Sequence, residues 1–151
     1  MVGELQSALF ALDYEIGTPD ILYAEELEDQ HSEIIDAGLV LFELKPDAVN
    51  YAHTLHQQNL IPQVSVNDCI ALALAQQESC ALLTGDAKLK QLAIIEDVSV
   101  RGTLWLVEEM LKSKLINASE AEMAYQKMLD DGSRLPVEKI NKQLDRFASE
   151  N

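Results

Sequence analysis

The sequence predicts an α/β domain, with a mainly parallel central sheet flanked by helices and a helical hairpin at its C-terminal end. Two observations carry that reading. Apolar runs of strand length, such as 39–44 and 80–84, alternate with segments whose apolar residues recur at helical spacing. Beyond Asn117 the strand-like runs cease and helical periodicity alone continues. The organisation expected is therefore an α/β domain over residues 1–116 and a helical extension over 117–151 packed on it. At 151 residues the chain is long enough to bury roughly two-thirds of its unfolded surface around one core.

Each element has a local cause. Leu5, Leu9 and Leu12 repeat at helical spacing, predicting an opening helix that ends near Asp13. Residues 14–17 read as a short strand, and Thr18-Pro19 supplies an N-cap and first-turn proline for a helix running towards Asp36, closed by Gly38. The apolar run 39–44 is a strand stopped by Lys45-Pro46, and a helix follows to about Gln58. Ser65 caps a helix with Ile70 and Leu74 on its core face, ending near Ser79. A buried strand over 80–84 turns at Gly85-Asp86 into a helix over 88–96 that points Leu89, Leu92 and Ala93 inward. After a short strand at 98–101, Gly102-Thr103 launches a helix to about Lys114. Ser119 with Glu122 makes a capping box for a helix ending at Gly132, and Pro136 starts the last one.

Charge narrows the function. There are 26 acidic and 11 basic residues, a formal net charge of −15. Residues 1–50 hold 12 acids and one base, Lys45, whereas residues 101–151 hold nine acids and eight bases. Such an anionic first third repels phosphate backbones, which argues against duplex binding through a broad basic face. A divalent cation in an anionic cleft reverses that repulsion, so metal-dependent phosphodiester chemistry stays open. Cys69 and Cys80 have neither metal-ligand spacing nor a disulfide framework, and no apolar run approaches the ~18 residues of a membrane span. These features fit a cytoplasmic protein with no membrane partner.

In an open parallel sheet, function gathers at the carboxyl ends of strands. Asp86 directly follows the 80–84 strand, Asp68 sits in the first turn of the preceding helix, and Glu26 lies about two turns into the helix after the 14–17 strand. Three carboxylates converging there would make an oxygen-ligand site for Mg²⁺ or Mn²⁺. Each also has a plainer role. Asp68 fits a capping box with Ser65, Asp86 fits an N-cap, and Glu26 stands among Glu25, Glu28 and Asp29 on a charged face. His53 and His56, three apart on a helix, lack a third ligand nearby; Trp105 and Cys69 read as packing residues. Neither GxxxxGK[ST] nor GxGxxG occurs, which disfavours a nucleotide-binding or phosphotransfer domain.

Taken together, Thr18-Pro19-Asp20 leading to Glu25-Glu26-Leu27, then Ser65-Val66-Asn67-Asp68, then Leu82-Leu83-Thr84-Gly85-Asp86 resembles the PIN domain family. Val100-Arg101-Gly102-Thr103-Leu104 and Leu115-Ile116 are similar to its branch of toxin-related ribonucleases. The resemblance implies a metal-dependent nuclease in which Glu26, Asp68 and Asp86 hold Mg²⁺ or Mn²⁺ and Thr84 helps hold substrate or water. It further implies single-stranded RNA as substrate, with Arg101, Lys112, Lys114 and Arg134 as backbone contacts, and an antitoxin-like protein as a possible partner. PIN domains also open with a strand that carries their first metal-binding aspartate, for which this sequence has no residues ahead of the helix near Gly3. Without that strand, two neighbours in the sheet are expected to have unpaired edges, favouring a homodimer. The alternative function is then a catalytically inactive interaction or dimerisation module.

Overall fold

The computed structural model describes residues 8–27 and 33–149, with the backbone alone at 26, 27, 33 and 34. The chain forms two compact units: residues 15–103, and residues 1–14 together with 104–151. It is a mixed α/β protein whose strands all pair in parallel among the described residues.

In the first unit, β1 (Gly17–Pro19) pairs with β2 (Val40–Phe42), Gly17 opposite Val40 and Pro19 opposite Phe42. Between them lie α1 (Asp20–Leu22), which runs on into a π-helical turn over Tyr23–Leu27, and α2 (Glu33–Ala37). Gly38, at φ 129°, donates its N–H to Ile35 and ends α2 as expected, in a conformation glycine adopts without penalty. Helices α3 (Pro46–Gln58) and α4 (Val66–Gln77) precede β3 (Leu82–Leu83), and α5 (Ala87–Ile95) leads to β4 (Val100–Arg101). β3 and β4 form a second parallel pair, Leu82 opposite Val100. Among the described residues the expected central sheet is thus two two-stranded sheets, β1-β2 and β3-β4.

The core of this unit lies between α3, α4 and the strands. Leu55, Cys69, Leu72, Ala73, Leu82, Leu92 and Ala93 are buried in it. Burial of each large aliphatic side chain contributes about 1.5–3 kcal/mol before entropy is counted. Leu89, Leu92 and Ala93 point inward as the spacing predicts. On α4, Leu74 is buried but Ile70 only half so, because burial extends from Cys69 through Leu72 to Ala75.

In the second unit, α6 (Thr103–Lys112), α7 (Ala118–Asp130) and α8 (Val137–Ala148) follow residues 8–11, which are helical. Val107, Met110, Ala121, Tyr125, Ile140 and Phe147 form its interior. Leu9 and Leu12 are buried as expected; Leu5 lies outside the described residues. No helix among the described residues is long and apolar enough to cross a membrane.

Two local expectations are corrected. The first strand is Gly17–Pro19 rather than 14–17; Thr18 lies in it instead of capping a helix, and Pro19 takes the N-cap position of α1 without a side-chain cap bond. Pro19 has φ −58° and ψ 134°, an extended conformation, and pairing with β2 takes Thr18 into the ladder. The capping box of α7 is Asn117 with Glu120, not Ser119 with Glu122. Asn117 Oδ1 accepts from the Glu120 N–H at 2.8 Å, and the Asn117 N–H donates to Glu120 Oε1 at 3.1 Å. Asparagine two residues earlier offers the same reciprocal bonding, and asparagine is at least as good an N-cap as serine.

Candidate active site

Asp86 stands where β3 ends and α5 begins. Its Oδ1 accepts from the N–H groups of Lys88 at 2.7 Å and Leu89 at 3.2 Å, satisfying two donors that the first helical turn cannot pair internally. Thr84 orients the same turn: its Oγ1 accepts from the Asp86 N–H at 3.1 Å, while its own N–H donates to the Arg101 carbonyl at 3.0 Å, the last rung to β4. Space above the turn is open, since a Cβ at Gly85 would meet nothing within 4 Å.

Asp68 is placed by the start of α4. Ser65 Oγ accepts from the Asp68 N–H at 3.1 Å, and Asp68 Oδ2 accepts from the Ser65 N–H at 3.2 Å, a complete capping box. The chain passes from α4 through 78–81 into β3, and α4 packs on β3.

The capping role and the ligand role, alternatives in the sequence, are compatible in the structure. Asp86 spends Oδ1 and Asp68 spends Oδ2 on helix caps, which leaves Asp86 Oδ2 and Asp68 Oδ1 without a protein partner among the described residues. A cap fixes the carboxyl plane; a carboxylate has acceptor sites to spare for a hard cation. Asp86 is exposed, Asp68 and Thr84 half-buried.

The backbone of Glu26 lies in the π-helical turn, and its side chain is outside what is described. Among the described residues no three His, Cys, Asp or Glu side chains gather closely enough to hold a metal ion. His53 and His56 are exposed, and His53 Nε2 lies 3.2 Å from Gln57 Nε2. Cys69 is buried, which pushes its thiol above the ordinary range, helped by the charge of Asp68.

One carboxylate escaped sequence reasoning. Asp20 immediately follows β1, close to the strand end much as Asp86 is at β3, and it is exposed. Placing the strand at 14–17 hid this; the Thr-Pro-Asp turn, read as an extended Thr-Pro followed by a helix start, was the available signal.

The candidate cations are distributed over both units. Arg101 on β4 donates from Nη1 to the Val100 carbonyl at 3.0 Å. In the second unit, Lys112 lies 3.6 Å from Glu108, and Lys112 and Lys114 line a cavity of about 680 Å³ with Leu111, Ile116, Arg146 and Phe147. Arg134 is exposed.

A family model described as a PIN domain matches residues 2–149. The chain belongs to the PIN domain family. That assignment makes the fold nuclease-type, and PIN domains generally use divalent metals. No curated protein and no solved structure matches the chain. Within this PIN domain, Asp68 lies in the first turn of α4 and Asp86 caps α5 just beyond β3.

Proposed function

We propose that the protein is a metal-dependent ribonuclease that hydrolyses phosphodiester bonds of single-stranded RNA, with Asp68 and Asp86 as carboxylate ligands and Glu26 as a third. The carrying observation is that each aspartate is anchored through one oxygen while the other has no partner among the described residues. In support, α4 leads through 78–81 into β3 and packs on it, so the two aspartates belong to neighbouring elements of one unit.

In this reading Asp68 and Asp86 would hold Mg²⁺ or Mn²⁺, which would supply charge neutralisation at the scissile phosphate and an acidified water. Asp86 keeps its position because Lys88 and Leu89 hold its other oxygen. Thr84 accepts from Asp86 through the lone pairs of Oγ1 and keeps its hydroxyl proton to donate to a phosphate oxygen or water. Arg101, Lys112, Lys114 and Arg134 supply backbone contacts to a single strand. A cytoplasmic location, a homodimer and an antitoxin-like partner covering the acidic end of the sheet complete the reading.

The second reading, an inactive interaction or dimerisation module, draws on the division of the strands into two pairs. Cleavage of a labelled single-stranded RNA with Mn²⁺, with and without chelator, decides between them. The nuclease reading expects chelator-sensitive cleavage that Asp86→Asn and Asp68→Asn each reduce at least tenfold with melting temperature retained. Cleavage indifferent to both substitutions rejects the metal mechanism at these aspartates, and absence of cleavage on varied RNAs favours the module.

A further inference from the structure

Positive charge in this chain is concentrated in a place that its net charge of −15 does not suggest. Five of the 11 bases, Lys112, Lys114, Lys139, Lys142 and Arg146, lie on α6, just after it, or on α8, and all five are exposed. Along α8, Lys139, Lys142 and Arg146 recur at intervals of three and four residues, which lines them up in one stripe, while Glu138 and Asp145 fall together further round the helix. Glu108 is shared by Arg146 and Lys112. Lys114, Lys139 and Lys142 have no ion-pair partner among the described residues.

The stripe borders α6. Gln143 donates to the Leu104 carbonyl at 2.9 Å and Arg146 donates to Glu108, so successive turns of α8 meet successive turns of α6 and the two helices run in the same sense. One turn past Glu108, α6 presents Lys112, 3.6 Å from that carboxylate, and Lys114 follows in a left-handed conformation that ends the helix. From Lys139 to Arg146 the helix rises about 10 Å, and the last turn of α6 carries the row roughly 5 Å further. Beside the far end of the row opens the cavity of about 680 Å³, between the end of α6, the start of α7 and the end of α8. Leu111, Ile116 and Phe147 give it an apolar side, and the Arg146 guanidinium carbon lies 4.9 Å from the centre of the Phe147 ring.

We propose that this row and cavity of the helical unit bind single-stranded RNA, with phosphates along Lys139, Lys142, Arg146, Lys112 and Lys114 and one unstacked base in the cavity. The extent of the row selects a polymer, because cations spread over roughly 15 Å outreach any single phosphate. The cavity selects a single strand, because a base reaches an apolar recess only when it is freed from a helical stack. Arg146 adds a guanidinium plane of the kind on which such a base stacks. Acidic residues elsewhere in the chain do not cancel the row, since charges more than about 10 Å away are largely screened at 0.1 M salt. Naming RNA rests on the ribonuclease reading above; the row and cavity themselves need neither the two aspartates nor a metal.

The test uses the full chain with chelator present and a fluorescein-labelled oligouridylate of about twelve nucleotides, its anisotropy read at rising KCl. Micromolar binding is expected at about 50 mM KCl, with log affinity falling against log salt at a slope no steeper than about −3.5, five contacts at roughly 0.7 each. Lys114→Gln, Lys139→Gln and Lys142→Gln combined should weaken binding at least tenfold and reduce the slope by about 2. Lys45→Gln, Lys88→Gln and Lys90→Gln combined remove the same charge from the first unit and should change binding less than about threefold. An abasic strand of equal length should bind the parent at least fivefold more weakly. Ala118→Phe, which fills the cavity from the start of α7, should erase that difference while the slope and the melt persist. No binding at about 100 µM protein overturns the site, and equal losses in the two triple variants overturn the row. Equal binding of the abasic strand overturns the base seat, and displacement of the RNA by polyglutamate of equal charge overturns RNA as occupant in favour of an acidic protein segment. Binding that passes these tests without any Mn²⁺-dependent cleavage supports this site and counts against the nuclease reading alone.

Discussion

The hydroxyl of Tyr125 donates to Oε1 of Gln143 at 2.6 Å, and Gln143 returns the bond by donating from Nε2 to the Leu104 carbonyl at 2.9 Å. Gln143, 6% exposed, thereby links α7 and α8 to the first turn of α6. A buried amide so placed is stabilising only while all partners remain. Gln143→Leu keeps the volume but strands the Tyr125 hydroxyl and a carbonyl, and is expected to cost about 1–3 kcal/mol. Tyr125→Phe should cost less, and the double variant less than the sum of the singles. Denaturant melts of the four proteins measure the coupling.

Gly17 and Phe42 make the second contact with a measurable consequence. A Cβ built on Gly17 would lie 2.2 Å from Phe42 Cε2 and 2.6 Å from Cδ2, so the ring occupies the space a side chain needs. Gly17→Ala must displace the ring from the β1-β2 pair, and overpacking of this kind typically costs about 1–3 kcal/mol. Phe42→Leu in the same background should recover part of the loss; additive losses in thermal melts would show that ring and glycine are uncoupled.

The fold was legible where periodicity and punctuation agree. Helix α3 follows Pro46 at its first turn, α4 follows Ser65, and Asp86 caps α5, each as its sequence predicts. The β1 region was less legible because Thr18-Pro19 carries two instructions: cap-and-start for a helix, or extended backbone. Pairing with Val40, Leu41 and Phe42, distant in sequence, decides for the strand. For the site, local pattern gave the correct placement of Asp68 and Asp86 at helix starts, and Asp20 was hidden by the misplaced strand. What local pattern cannot express is which carboxylate oxygen a cap consumes; that depends on the geometry of each turn.

Alkaline stability should fall because of two tyrosines. Burial holds the Tyr51 phenol above its ordinary range, reinforced by its 2.7 Å hydrogen bond to Glu96 and by that carboxylate's charge. Burial does the same for Tyr125, aided by the charge of Glu108. The folded state keeps both phenols neutral at pH values where the unfolded chain releases their protons, near pH 10. Their stabilising contribution is complete below that pH and is lost as pH rises through the folded values. Tyr51→Phe should flatten the alkaline limb of a pH-stability curve; an unchanged limb would show that Tyr51 titrates alike in both states.

The acid limb carries the opposite sign. Partial burial pushes the Glu108 carboxyl up, but the Arg146 guanidinium, Lys112 and Gln143 together outweigh it and hold the group below its ordinary range. A depressed folded value contributes stability above the unfolded value, near pH 4.5, and loses it as pH falls through the folded one. Glu108→Gln should lower stability at pH 7 modestly, given the exposure of Arg146, and converge with the parent at low pH. A difference that persists undiminished in acid would assign the loss to packing instead of charge.

Asp86 permits its helix-capping and metal-holding roles to be separated by substitution. Asparagine caps as well as aspartate, retaining an oxygen for the Lys88 and Leu89 N–H groups, whereas alanine removes the acceptor. Asp86→Ala is therefore expected to lower stability by about 0.5–2 kcal/mol, and Asp86→Asn to leave it near the parent value. The charge is lost in both. If the free Oδ2 holds a cation, millimolar Mn²⁺ should raise the parent melting temperature, and the shift should shrink in the asparagine variant even though its metal-free melt is unchanged. Asp68→Asn should follow the same pattern, since its capping box also survives an amide. Equal Mn²⁺ shifts in the parent and both asparagine variants would leave the two aspartates as caps alone.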